Sequence, residues 1–428
     1  MKPVKVGLLG LGTVGTGVVR IVEGHQEDLQ NQTGSPIVID KILVQDASKS
    51  RAVNIDPGKL TEDPWDIIHD PDISVIVEVM GGIELTKGYI LEALARGKHV
   101  ITANKDLMAL HGPEILAAAQ EHGCDVLYEA SVAGGIPIIR TLVEGFSSDR
   151  ITKIMGIVNG TTNYILTKMT QEGTVYSEAL AEAQQLGYAE ADPTSDVEGL
   201  DAARKMTILS TLGFRSNVAL EDVDVKGISS VSREDILYAG RLGYVVKLLG
   251  IAESQDDFIS VSVQPTMVKH SHPLASVNGV FNAVYVFGEA VGETMFYGAG
   301  AGEMPTATSI VADLVAVVKN LKLGVNGKQA LLTYKLKKLK TDEQISSKYF
   351  MLLHVDDRAG VLAKITQAFA ECEVSLESVL QQPNASITEA EIIIITHDAS
   401  KAAVTKVLDA FKQMDVVKNI RSVYRVEG

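Results

Sequence analysis

The start of the chain constrains the fold most strongly. Residues Val4 to Leu9 form a short apolar run, which is typical of a buried parallel strand, and Gly10, Gly12 and Gly15 follow it in the spacing G-x-G-x-x-G. An apolar pattern with helical spacing then runs from Val14 to Val22. Such a turn lets the N-terminus of a helix, with its unpaired N–H groups, approach a pyrophosphate closely. We therefore expect a dinucleotide-binding βαβ unit, and a glycine-rich turn without a ligand is the alternative.

The following segments alternate between strand and helix patterns. The strand-like stretches "VIDKILV", "VIVEVM", "HVITAN" and "DVLYEA" are separated by helix-like stretches such as "TKGYILEALARG" and "PEILAAAQEHG". This alternation predicts a doubly wound α/β sheet of the Rossmann type over residues 1–130. Ligands bind such sheets at the carboxyl ends of the strands. Lys105 follows "HVITA" and is expected to project toward the ligand, and the alternative is a surface lysine in a loop.

Composition and charge exclude several classes of protein. The 428 residues, 46% of them hydrophobic, are enough for two or three globular domains. A formal net charge of -15 argues against a nucleic-acid surface. No apolar run is long enough to cross a bilayer and the chain enters a strand pattern at once, so we expect a cytoplasmic protein without membrane contact. Cys124 and Cys372 have no metal-ligand spacing and are expected to be reduced thiols.

An acidic stretch marks a second place of interest. The segment "GYAEADPTSDVEGLDAARK" follows a helical pattern that ends at Gly187, and a new helix is expected near Gly199. On that helix, Asp201 and Lys205 are four residues apart and share a face. Mostly apolar residues follow them, so the acidic run is interpreted as a loop over a cleft. A solvated charged face is the alternative.

The spacing within this stretch is similar to the signature of homoserine dehydrogenases. The matching residues are Ala183, Gly187, Tyr188, Asp192, Pro193, Asp196, Gly199, Asp201 and Lys205. The segments "GLGTVG", "TANK", "YEASVAGGIP", "VNGTTNYIL" and "GAGAGEMPTA" also resemble this family. The resemblance implies a reversible, nicotinamide-dependent reduction of aspartate semialdehyde to homoserine, on the route to threonine, isoleucine and methionine.

The resemblance also implies roles for individual residues. Lys205 would be the proton donor and Lys105 would lie beside the nicotinamide and the substrate. The substrate would be bound by Glu190 and Asp201 through its amino group, with Asp196 orienting Lys205 and Tyr188 nearby. The cofactor would contact residues of both glycine-rich loops and neighbouring positions, namely Gly10, Gly12, Thr13, Val14, Gly15, Gly187, Gly300 and Gly302. A monovalent cation, Na⁺ in our expectation, would bind oxygens of Glu129, Val132, Gly134 and Ile136, since oxygen ligands suit a hard cation.

The residues after the predicted second strand leave the choice between NAD and NADP open. Asp46 suits the ribose 2′-hydroxyl of NAD, whereas Lys49 and Arg51 suit the 2′-phosphate of NADP. Many members of the family carry a basic residue where this chain has Gln45. We expect NADP with NAD tolerated.

The remaining chain divides into three predicted parts. The resemblance implies that a helix at about 305–322 completes the Rossmann-type domain and that residues 131–304 form an α+β substrate-binding and dimerisation domain. Residues 323–348 are expected to form a charged connector. Residues 349–428 show a strand-helix-strand-strand-helix-strand order, which is ferredoxin-like. Within them, Asp356 to Leu362 resemble the turn of an ACT domain, a module that binds amino acids, and threonine, a pathway end product, is the expected effector. A domain that only holds a dimer together is the alternative. We expect a homodimer or homotetramer.

Two alternatives to the dehydrogenase are compatible with parts of the sequence. A non-catalytic nucleotide- and amino-acid-binding sensor would share the fold but lack turnover. An aldehyde dehydrogenase acting through a thioester would need a cysteine nucleophile.

Overall fold

The computed structural model describes residues 2–327, 333–383 and 388–428. Residues 328–332 of the predicted connector therefore lie outside the described part. The described strands are β1 (Val4–Leu9), β2 (Ile37–Leu43), β3 (Leu60–Thr61), β4 (Ile73–Glu78), β5 (His99–Thr102), β6 (Val126–Leu127), β7 (Ile151–Ile157), β8 (Val223–Val225), β9 (Tyr244–Gln255), β10 (Phe258–Lys269), β11 (Phe281–Gly288), β12 (Gly292–Ala299), β13 (Ser346–Asp356), β14 (Leu376–Pro383), β15 (Glu389–Thr396), β16 (Ala399–Ser400) and β17 (Val417–Glu427).

The described helices are α1 (Thr13–Gly24), α2 (Gln26–Thr33), α3 (Trp65–Ile68), α4 (Glu84–Ala95), α5 (Lys105–Glu121), α6 (Ile138–Arg140), α7 (Gly160–Glu172), α8 (Tyr176–Gln185), α9 (Thr194–Val197), α10 (Leu200–Phe214), α11 (Arg233–Arg241), α12 (Glu303–Leu323), α13 (Val361–Glu371) and α14 (Lys401–Lys412). The chain folds into two compact units. The first comprises Met1–Ile154, Arg204–Glu221 and Asn282–Leu336, and the second Met155–Ala203, Asp222–Phe281 and Lys337–Gly428.

The first unit contains a six-stranded parallel sheet. Its strand order is β3-β2-β1-β4-β5-β6, which is the doubly wound order of a dinucleotide-binding domain. Helix α12 returns to this sheet late in the chain, since Ala307, Ile310 and Leu314 belong to the same hydrophobic core as Val6 and Leu8. The predicted Rossmann-type fold is confirmed.

Two local predictions in this unit need correction. The helix predicted from Pro113 begins at Lys105, and Pro113 lies inside it. Asn104 caps this earlier start, because its side chain accepts a 3.1 Å hydrogen bond from the Leu107 amide. The expected strand "DVLYEA" is reduced to β6, and Glu129–Ser131 form a 3₁₀ turn instead. Lys105 is thus the first residue of a helix and not part of a loop.

The second unit contains strands in the order β9-β10-β17-β13-β15-β14. Strands β13, β14, β15 and β17, with α13 and α14, form the predicted ferredoxin-like order. This C-terminal part shares its sheet with the preceding part of the unit, because β17 pairs in parallel with β10. The buried guanidinium of Arg425 on β17 also forms a 2.8 Å ion pair with Glu253 on β9. The domain boundaries given above remain predictions.

Candidate active site

The glycine-rich turn joins β1 to α1 and leaves room for a ligand. Gly12 precedes the helix, and a Cβ atom placed on it would meet nothing within 4 Å. At Gly15, by contrast, a Cβ would lie 2.3 Å from the carbonyl oxygen of Gly10. Gly15 is therefore needed for the packing of the turn itself, whereas the space beside Gly12 is open. This open cradle at a helix N-terminus fits the pyrophosphate of a dinucleotide.

A buried polar cluster closes the neighbouring strand ends. Glu78 at the end of β4 accepts hydrogen bonds from the amides of Met80 (2.8 Å) and Gly81 (3.0 Å), and from the Thr102 hydroxyl. The Thr102 hydroxyl in turn accepts from the backbone N–H of Asn104 at 3.0 Å. Burial raises the pKa of Glu78, and these hydrogen bonds oppose that rise. These hydrogen bonds fix the backbone segment that leads into Lys105 at the carboxyl edge of the sheet.

The second glycine-rich loop, which contains Gly300 and Gly302, lies against α1. Gly302 precedes α12, and a Cβ on Gly17 of α1 would lie 2.7 Å from the Glu303 carbonyl oxygen. Arg20 on α1 forms a 2.7 Å ion pair with Glu303. The structure therefore brings the region of Gly300 and Gly302 close to the helix that follows the first glycine-rich turn.

The predicted cation-binding segment packs against this second loop. A Cβ on Gly134 would lie 2.5 Å from the Gly300 carbonyl oxygen, and the Ser309 hydroxyl donates to the Gly134 carbonyl at 2.7 Å. The two carboxylate oxygens of Glu129 accept from the amides of Ile139 (2.7 Å) and Arg140 (2.8 Å). The Glu129 carboxylate is thus used to hold the start of α6, which the sequence did not predict.

A buried acid supports the same segment from α12. Asp313 accepts from the Glu129 amide at 2.9 Å and pairs with Arg140 at 2.8 Å. Burial raises the pKa of Asp313 to about 7, and the ion pair with Arg140 opposes this shift. The Glu129 segment, α6 and α12 are therefore tied together by charged groups.

The loop after β2 contains the residues that bear on cofactor choice. The carboxylate of Asp46 accepts from the Ser48 hydroxyl (2.6 Å) and amide (2.8 Å), and these bonds lower its pKa. Arg51 donates to the Asp46 carbonyl. Within the described residues, the buried Nε of Arg51 has no hydrogen-bond partner.

The predicted substrate-binding acids lie in the second unit. Asp196 on α9 and Asp201 on α10 both accept from the Asn159 side chain, at 2.7 and 2.8 Å. Tyr188 packs against Tyr164 with 5.0 Å between ring centroids, and its carbonyl accepts from Thr161 at 2.5 Å. Glu190 is exposed. The structure therefore joins Asp196 and Asp201 through one side chain.

Helix α10 carries the two residues that were predicted to share a face. Asp201 is buried in its first turn and Lys205 follows one turn later, half-buried. In the first unit, Arg204 on the same helix forms a 3.0 Å ion pair with Asp106, whose other oxygen lies 4.0 Å from Lys105. Asp106 is a neighbour of Lys105 that the sequence did not single out.

Besides Asp106, three residues that support the predicted site residues were missed from the sequence. Glu78 and Thr102 are ordinary strand residues by pattern, and only their register on neighbouring parallel strands makes them a pair. Asn159 lies in the quoted segment "VNGTTNYIL", and its place before α7 is a helix-capping signal that could have been used.

The environment of the cysteines does not suit the thioester alternative. Cys124 is buried, and burial raises the pKa of its thiol to about 11, so it is protonated at neutral pH. Cys372 follows α13 in the ferredoxin-like part. Among the helices in the described ranges, we find no candidate for a membrane span.

Comparison with known proteins agrees with this geometry. The family model described as the NAD-binding domain of homoserine dehydrogenase matches residues 10–129, and that described as homoserine dehydrogenase matches 137–315. With the fold and the glycine-rich turn, these matches define an NAD(P)-dependent oxidoreductase. A homoserine dehydrogenase of Bacillus subtilis is 57% identical, covering 100% of this chain and 99% of its own. The chain belongs to the homoserine dehydrogenase family.

Solved structures support the same assignment. The crystal structure of a homoserine dehydrogenase from Thiobacillus denitrificans has a TM-score of 0.94 and 41% identity, covering 100% of this chain and 99% of that one. A hyperthermophilic archaeal homoserine dehydrogenase in complex with NADPH has a TM-score of 0.63 and 26% identity, covering 75% of this chain and 98% of that one.

Proposed function

We propose that the chain catalyses the reversible reduction of L-aspartate 4-semialdehyde to L-homoserine, on the route to threonine, methionine and isoleucine. The observation that carries the proposal is that the Asn159 side chain donates to both Asp196 and Asp201 in the second unit, and that Asp201 lies in the first turn of α10, the helix on which Lys205 follows one turn later. The bound nicotinamide supplies or accepts the hydride. The chain's own residues bind the amino acid, orient it and move the proton.

The acid and base roles follow from where charge develops. During reduction the aldehyde oxygen gains negative charge and needs a proton donor beside it. Lys205 donates this proton in our assignment, with Asp196 orienting it, and Lys105 lies beside the reacting atoms. Glu190 and Asp201 accept from the ammonium group of the substrate. The carboxylates suit the positively charged ammonium group of the substrate. The lysines suit the aldehyde oxygen, which becomes negative during reduction.

We assign NADP as the preferred cofactor, with NAD tolerated. The support is the positive charge of Lys49 and Arg51 in the loop after β2, which suits a 2′-phosphate. Asp46 acts in the opposite direction, because its hydrogen bonds to Ser48 favour the ionised carboxylate, which suits the 2′-hydroxyl of NAD, and for this reason we expect NAD to be tolerated. The archaeal relative bound to NADPH is consistent with the same choice.

We further propose a monovalent cation, Na⁺, at the segment that packs on the second glycine-rich loop. Oxygen donors suit such a hard cation. The carboxylate oxygens of Glu129 and the carbonyl oxygens of Gly134 and Ile136 already accept hydrogen bonds, so the cation would use their remaining lone pairs together with the Val132 carbonyl oxygen, and Glu129 also contributes its charge.

Threonine binding at the ferredoxin-like part is the regulatory proposal. Gly360 precedes α13, and the exposed Asp357 lies in the same turn, whereas Asp356 is already paired with Lys418 at 2.8 Å. This turn belongs to the same compact unit as Asp196 and Asp201, and the pairing of β17 with β10 connects the ferredoxin-like part to the rest of that unit. Activity and calorimetric titrations of the full chain with threonine test it. No response and no saturable binding would leave this part a structural one.

The test of the main proposal is an initial-rate assay with homoserine and either cofactor. Asp201→Ala should raise the KM for homoserine and lower turnover, because it removes an acceptor for the ammonium group. An effect confined to the KM of the cofactor would contradict the assignment of Asp201.

A further inference from the structure

Asn159 lies between β7 and α7 with only 5% of its surface exposed. Its Oδ1 accepts two hydrogen bonds of 2.8 Å from Thr162, one from the amide and one from the hydroxyl. The first of these caps α7. Because an amide N–H can only donate, Oδ1 must face Thr162, and the orientation of the Asn159 side chain is fixed.

The Nδ2 group of Asn159 consequently points at two carboxylates. It donates to Oδ1 of Asp196 at 2.7 Å and to Oδ2 of Asp201 at 2.8 Å. These acids come from different helices, α9 and α10, and one amide group uses both of its hydrogens to bridge them. Two adjacent carboxylates repel each other unless donors lie between them.

The bridging group is neutral, and this decides its effect. A lysine or arginine in the same place would add a positive charge beside the acids, whereas the neutral amide holds both carboxylates by hydrogen bonds and adds no charge. We propose that Asn159 is a positioning residue that fixes Asp201, the acceptor of the substrate ammonium, relative to Asp196, which orients Lys205. This inference rests on the proposed function.

A purely structural role for Asn159 is the competing explanation. Asp, Ser and Asn are comparably good N-cap residues, so Asn159→Asp and Asn159→Ser should both keep α7 capped. Neither side chain can donate two hydrogen bonds to the acids. In addition, Asn159→Asp places a third carboxylate beside Asp196 and Asp201.

The experiment is steady-state kinetics of these variants with homoserine and cofactor varied separately. Losing hydrogen bonds to charged groups should raise the KM for homoserine roughly ten- to hundredfold, more for Asn159→Asp than for Asn159→Ser, while the KM for the cofactor stays within about twofold. Thermal unfolding establishes that each variant is folded.

Asn163→Ser is the matched control. Asn163 is a buried amide one turn further along α7, and it donates to the carbonyls of Val277 (3.2 Å), Gly279 (2.9 Å) and Phe281 (3.2 Å) instead of to acids. Its replacement should lower the melting temperature but leave the KM for homoserine within about twofold.

Two results would overturn the inference. Wild-type KM for homoserine in Asn159→Asp would show that Asn159 is only a cap, and an equal rise of both KM values would show a general structural defect. Calorimetric titration with homoserine repeats the comparison without turnover. An inactive wild-type protein would refute the proposed function, whereas unchanged homoserine binding in the variants would refute the role of Asn159.

Discussion

Thr102 and Glu78 face each other at the carboxyl ends of β5 and β4, and the Thr102 hydroxyl donates a 2.5 Å hydrogen bond to the Glu78 carboxylate. The same hydroxyl accepts from the Asn104 amide, and Asn104 caps the helix that begins at Lys105. One hydroxyl group therefore connects the buried acid to the segment that presents Lys105.

Thr102→Val should remove this connection while preserving the shape of the side chain. It removes the acceptor of the Asn104 backbone N–H and one hydrogen-bond donor to the buried Glu78, so we expect a loss of about 1–3 kcal/mol in the free energy of unfolding. Urea denaturation measures it. A stability equal to that of the wild type would show that Thr102 does not support the strand ends.

Gly12 and Gly15 of the first glycine-rich turn should respond differently to substitution by alanine. Gly12 has φ -82° and open space around it, so Gly12→Ala should keep the melting temperature of the wild type but weaken NAD(P)H binding at least about tenfold, since the methyl group fills the cradle. Fluorescence titration with NAD(P)H measures the affinity.

Gly15→Ala is the matched comparison. Its Cβ would lie 2.3 Å from the Gly10 carbonyl oxygen, so the turn itself must shift and the melting temperature should fall. If Gly12→Ala bound NAD(P)H as tightly as the wild type, the open space beside Gly12 would not be the pyrophosphate site.

Lys247 on β9 should make stability depend on pH. Its buried ammonium group donates to the carbonyl of Val277 (2.5 Å) and to the side chains of Asn163 (3.2 Å) and Asn278 (3.1 Å), and burial lowers its pKa to about 8. An unfolded lysine has a pKa of about 10.4, so between these values the unfolded chain binds more protons than the folded one. Stability contributed by this group therefore rises with pH across that window.

The comparison with Lys247→Met isolates this group. The difference in the free energy of unfolding between wild type and variant should grow in favour of the wild type from about pH 8 to about pH 10.4, by at most about 3 kcal/mol, because the hydrogen bonds to carbonyl oxygens reduce the shift. Urea denaturation at several pH values measures it. A constant difference would mean that Lys247 titrates normally in the folded protein.

Local patterns predicted most of the fold. The glycine spacing after β1 and the alternation of strands and helices were sufficient for the parallel sheet, because both depend on neighbouring residues. The start of α5 was misplaced since Pro113 was taken as a helix start, because an interior proline removes a backbone hydrogen bond and is usually avoided. The capping side chain of Asn104 determines the true start.

Pairings between residues that are distant in the chain could not be predicted from the sequence. Asn159 is separated by 37 and 42 residues from the two acids that it bridges, and no periodicity connects them. Likewise, nothing local in β17 indicates that it pairs with β10. The family resemblance supplied the candidate acids and lysines, whereas the structure supplied the neutral and buried groups that hold them.

The most direct test of the account is the initial rate of NADPH or NADH formation from homoserine by the wild type and by Lys205→Met. The wild type should reduce either cofactor, NADP more efficiently. Lys205→Met should lower turnover roughly 100- to 10,000-fold with nearly unchanged affinity for the cofactor, because the missing group acts on the substrate oxygen. No reduction of either cofactor by the wild type would contradict the dehydrogenase assignment, and more than about a tenth of wild-type turnover in Lys205→Met would contradict the role of Lys205 as the proton donor.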